Sequence, residues 1–153
     1  MKLLKRIALV LAGALVVLQC IRPAKNVSGS VASGDIGAAF TVPQEVREIL
    51  RTSCNDCHSN TTRYPWYAEV QPVGWWLNGH INDAKIELNF SEFSGYRLRR
   101  QYKKLEDIID QVKEGDMPLP SYLLLHTDAT LSPEQKQKLV EWANTLRDGI
   151  KAT

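Results

Sequence analysis

The apolar positions divide the chain into one unbroken apolar run and several stretches of helical period. Ile7 to Ile21 carries no charge and, apart from Gly13, Gln19 and Cys20, is aliphatic; it lies directly behind Lys2, Lys5 and Arg6. From Thr41 as N-cap, with Pro43 in the first turn, Val46, Ile49, Leu50 and Cys54 recur at helical spacing and predict a helix. A second helix is predicted from about Pro72 to Glu87, with Trp76, His80, Ala84 and Leu88 on one line, broken by residues 89–95. A third, from about Arg97 to Glu114, carries Leu98, Tyr102, Leu105, Ile108, Ile109 and Val112 on one stripe and stops at Gly115. Ser132-Pro133-Glu134-Gln135 reads as a capping box with proline at the first helical position, opening a last helix to about Arg147. No segment alternates with the period of a strand, and no repeat recurs. The expected fold class is all-α.

The leader and the segment behind it set the domain organisation. A basic flank followed by an apolar run reads as membrane targeting. As a helix the run rises about 22 Å, short of a hydrocarbon core of ~30 Å, although Leu3, Leu4 and snorkelling lysines extend it. Gln19, Ile21, Arg22 and Pro23 make a poor cleavage context, so residues 1–25 are expected to form an uncleaved membrane helix. A cleaved signal and lipidation of Cys20 are the alternatives. Each exports the remainder, which gives an expected location anchored to the membrane with the domain in the periplasm. Residues 26–40, rich in Ser, Gly and Ala, read as a flexible linker, and the folded domain is expected over 41–150.

Length and charge narrow the classes further. At 153 residues there is room for one modest domain. The formal +2 is local to the leader: beyond residue 25 the chain holds 14 basic and 17 acidic side chains, net −3, the wrong sign for a nucleic-acid binder. Three cysteines, Cys20, Cys54 and Cys57, are too few and too clustered for a disulfide scaffold.

Two of those cysteines carry the chemistry. Cys54-Asn55-Asp56-Cys57-His58 matches C-x-x-C-H, the attachment motif of c-type haem, in which two thiols one helical turn apart add to the vinyl groups and the adjacent histidine ligates iron. A thioredoxin-like dithiol lacks its βαβ frame here and gives no reason for His58; a zinc site lacks a second ligand pair. An electron carrier also needs a sixth ligand. Met117, between the helix stop at Gly115 and Pro118, is the leading candidate, with a gap-filling methionine as the plain alternative and His80 and His126 as rival ligands. Trp66, Trp75, Trp76 and Tyr122 are candidates either to wall a haem or to pack structurally. Arg97, Arg99, Arg100, Lys103 and Lys104 read as a solvated basic face, with a propionate or docking patch as the second reading.

The short helix ahead of CNDCH, the later Met-Pro loop and the closing helix resemble a class I cytochrome c. More closely, RYPWYAEVQPVGWWLNGHINDAKIELNFSEF, GDMPLPSYLLLH and LSPEQKQKLVEWA resemble the bacterial family of membrane-anchored single-haem "haem-binding domain" proteins over about residues 42–147. The resemblance implies a small cytochrome c-like helical domain after an N-terminal membrane helix, with one covalent haem c on Cys54 and Cys57 and His58 as proximal ligand. The chain is therefore expected to be an electron carrier rather than an enzyme, with redox proteins and the membrane as partners and no nucleic acid. A haem-based sensor and a small peroxidase are the alternatives.

Overall fold

Each apolar stripe becomes a helix in the computed structural model, which describes residues 1–28, 30 and 32–151. The helices are α1 (Lys2–Leu18), α2 (Ile36–Ala39), α3 (Gln44–Ser53), α4 (Asn55–His58), α5 (Val73–Glu87), α6 (Leu98–Glu114), α7 (Pro120–Leu123) and α8 (Pro133–Lys151). Short 3-10 turns cover Trp66–Glu69, Phe90–Gly95 and Thr127–Ala129. Among the described residues the fold is all-helical; its only extended pairing is an isolated bridge between Val27 and Thr61.

α6 and α8 form the main packed pair, and α3 crosses onto α8. Their facing stripes make the core: Val46, Ile49 and Leu50 from α3, Leu105, Ile108, Ile109 and Val112 from α6, Leu139, Trp142 and Ala143 from α8. The ends of these helices are fixed by local chemistry. In the capping box, Ser132 N donates to Gln135 Oε1 at 2.9 Å and Gln135 N to Ser132 Oγ at 3.2 Å. Gly115 ends α6 at φ 82°, a left-handed conformation that any side chain would strain. α8 runs four residues beyond the expected end at Arg147.

The expected membrane helix is corrected. α1 has 17 residues, about 26 Å of rise against the ~30 Å of a bilayer core, and its first turns hold Lys2, Lys5 and Arg6. Among the described residues no helix is long and apolar enough to cross a membrane. The membrane anchoring expected from the leader is corrected with it. The segment from Gln19 to Lys25 is seated on the domain: Gln19 and Gln71 exchange hydrogen bonds, Trp75 Nε1 donates to the Ile21 carbonyl at 2.8 Å, and Arg22 and Lys25 both pair with Glu69.

Residues 26–40, expected as a linker, also join the domain. Asn26 Nδ2 donates to the Ser59 carbonyl at 2.8 Å and to Thr62 Oγ1 at 3.0 Å, and its Oδ1 accepts from Lys85 at 2.6 Å. Further along, Asp35 caps α2 through Gly37 N, and Ile36 is only 3% exposed within the core. The core thus begins ahead of Thr41. Gly29 and Val31, in the same stretch, lie outside the described residues.

Candidate functional site

The C-x-x-C-H sequence forms one tight helical turn. α3 delivers the chain to Cys54, where the backbone departs from helical geometry (φ −128°) before α4 restarts over Asn55–His58. His58 N and Cys57 N both bond back to the Cys54 carbonyl, at 2.9 and 3.2 Å. Cys54 and Cys57 are free thiols. Burial, reinforced by Cys57, pushes the Cys54 thiol up to about 12; burial, reinforced by Asp56, pushes Cys57 up to about 11.

Two backbone carbonyls define the state of His58. α5 ends at Glu87 and is closed by Leu88, whose N–H donates to the Ala84 carbonyl at 2.8 Å, so that carbonyl is shared with His58. His58 Nδ1 lies 3.0 Å from the Leu88 oxygen and 3.1 Å from the Ala84 oxygen, both of which only accept. Nδ1 therefore carries the proton, and Nε2 is left with its lone pair and, among the described residues, no hydrogen-bond partner. Burial holds the imidazole below its ordinary pKa, with the two carbonyl bonds opposing that shift. A neutral imidazole anchored through one nitrogen and open at the other is the form that ligates a metal. Phe90 fixes the ring from the side, edge-on at 6.4 Å between centroids.

His58, Cys54 and Met117 line one cavity of about 470 Å³ between α3, the end of α5, α6 and α8. Leu50, Leu88, Ile108, Val112 and Leu139 give it apolar walls. Lys104, with Glu87, Asp107, Asp110 and Glu114, brings charge to the same cavity. Lys104 pairs with Glu87 at 3.0 Å and Asp107 at 3.1 Å. Met117 N and Asp116 N both donate to the Gln111 carbonyl, which turns the chain from the end of α6 into the Met-Pro loop.

Neither rival histidine lies on this cavity. His80 packs edge-on against Trp76 at 4.3 Å. His126 stacks on Tyr122 at 4.1 Å and pairs with the Tyr67 hydroxyl through Nε2 at 2.7 Å. Trp66, Trp75, Trp76 and Tyr122 do not line it either; Trp66 is 80% exposed and Trp76 52%. Of the basic run, only Lys104 reaches it.

Two features of the site have no helical-period signal in the sequence. The carbonyls of Ala84 and Leu88 belong to the backbone and are set by where α5 stops. Asp56 sits inside the motif in plain view, but its burial follows from Arg63 and Tyr122, which close over it from later in the chain.

The haem-binding domain family matches residues 13–145 of the chain. The chain belongs to that family. No curated protein and no solved structure matches it. As a haem-binding domain the protein offers parts that fit the group: a largely apolar cavity within the range of small-molecule and cofactor sites, the Cys54 thiol on its wall with the free Cys57 thiol in the same turn but off the lining, and an imidazole with one nitrogen tied and the other without a hydrogen-bond partner among the described residues.

Proposed function

We propose that the protein is a c-type cytochrome in which Cys54 and Cys57 would hold one haem covalently, His58 and Met117 would ligate its iron, and single electrons would pass between redox protein partners. His58 carries this reading: its Nδ1 is committed to the Leu88 and Ala84 carbonyls, which leaves Nε2 open on a cavity that also receives Cys54 and Met117. The bound haem supplies one-electron redox chemistry at its iron.

The protein's own residues orient and insulate. Cys54 caps α4 and Cys57 and His58 lie on it, so a group linked to both thiols would be held beside His58. The Leu88 and Ala84 carbonyls hold the proton on Nδ1 and resist rotation of the ring, while burial keeps the imidazole neutral. Leu50, Ile108, Val112 and Leu139 give the cavity apolar walls, which would lower the local dielectric and favour the less charged redox state. Met117 contributes a soft thioether, which favours ferrous iron. Neither His80 nor His126, the candidate distal bases, lies on the cavity, which favours electron transfer over peroxidase chemistry.

Absorption spectra of oxidised and reduced holoprotein, with and without carbon monoxide, test the proposal. The expected result is a low-spin c-type spectrum in both states, a sulfur-to-iron charge-transfer band when oxidised, and only slow carbon monoxide binding by the reduced protein. Rapid carbon monoxide binding by untreated wild-type protein would overturn it in favour of a sensor or an enzyme.

A further inference from the structure

Tyr122 bridges two parts of the site that are far apart in sequence. It lies on α7, which opens at Pro120 directly behind Met117-Pro118-Leu119. Its hydroxyl donates to Asp56 Oδ2 at 2.8 Å, and Asp56 is a buried member of the C-x-x-C-H turn. Arg63 holds the same carboxylate from the other side: its backbone N and Nε donate to Oδ1 at 3.0 and 3.1 Å, and Nη2 to Oδ2 at 3.0 Å. The Tyr122 ring stacks on His126, nearly parallel at 8°.

The Met117 segment is therefore pinned at both ends. On one side, the Met117 and Asp116 amides bond to the Gln111 carbonyl of α6. On the other, Tyr122 bonds to the turn that holds Cys54, Cys57 and His58. A charged, mostly buried acceptor makes the second pin strong, since hydrogen bonds to ionised groups exceed neutral ones. Removing the Tyr122 hydroxyl leaves Asp56 still paired with Arg63, so no buried charge is stranded and the effect is confined to the tie.

We propose that Tyr122 is a positioning residue for Met117: by bonding Asp56 it ties the methionine segment to the haem-attachment turn and sets how long the thioether stays on the iron. This rests on Met117 being the sixth ligand. Carbon monoxide reaches ferrous iron only when Met117 has left it, so its binding rate reads the lifetime of that bond.

The test uses full-length holoprotein made with a cytochrome c maturation system. Tyr122→Phe, which keeps the ring and its stacking on His126, is expected to retain covalent haem, helical circular dichroism and the sulfur-to-iron band while binding carbon monoxide about tenfold faster or more. Asp56→Asn, which keeps the side-chain shape but removes the charge, moves the rate the same way, and the double variant exceeds the larger single effect little. Should Tyr122→Phe fail to load haem, Asp56→Asn alone decides. Wild-type binding rates in well-folded variants overturn the positioning role while leaving Met117 ligation intact. A wild-type protein that lacks the band overturns Met117 ligation itself, and the tie's role with it.

Discussion

At the scale of single residues, His58 and Met117 differ in what holds them. His58 is fixed by two carbonyls and the Phe90 ring, whereas the Met117 side chain has no polar partner among the described residues and depends on the loop that carries it. Met117→Ala is expected to lower the reduction potential by on the order of 100 mV, a modest part of the ~0.8 V that axial ligation spans. It should also abolish the sulfur-to-iron band and admit carbon monoxide. His80→Ala and His126→Ala should leave that band in place, because the former residue packs on Trp76 and the latter is engaged by Tyr67 and Tyr122. Retention of the band in Met117→Ala, with its loss in either histidine variant, would move the sixth ligand to that histidine.

At the scale of elements, the site depends on where helices stop. Gly115→Ala forces a side chain into left-handed backbone and should cost about 1–2 kcal/mol. A Cβ there meets nothing closer than Lys136 Nζ at 3.9 Å, so the cost is conformational rather than steric. Urea unfolding should show a lower midpoint at unchanged slope. Because Met117 lies two residues on, the same variant should weaken the sulfur-to-iron band. In the core, Leu105→Ala removes a fully buried side chain between α6 and its neighbours and should cost about 2–5 kcal/mol in the same assay. The helices of the domain are legible in the sequence because their signals are local: the stripe from Leu105 to Val112, the stop at Gly115 and the box at Ser132 each act within a few residues. Asp35 and Ile36 escape a sequence reading for the opposite reason. Their surroundings are Ser, Gly and Ala, and only Gly37 N and the distant core reveal that this stretch is held. The C-x-x-C-H turn is legible as a motif, whereas the carbonyls that select the state of His58 depend on the end of α5 and have no side-chain signature.

At the scale of the whole molecule, the attachment turn, the Met117 loop and the α6–α8 pair converge on one cavity, and among the described residues no helix, that of the leader included, is long and apolar enough to cross a membrane. The central claim is that this cavity receives a haem joined to Cys54 and Cys57 by thioether bonds. Intact mass of the denatured full-length protein, produced with a cytochrome c maturation system, measures that bond directly. The predicted result is a chain heavier than its amino-acid sequence by one haem, with the increment carried on the peptide that contains Cys54 and Cys57. A denatured chain at its bare polypeptide mass, with haem released, would contradict the claim.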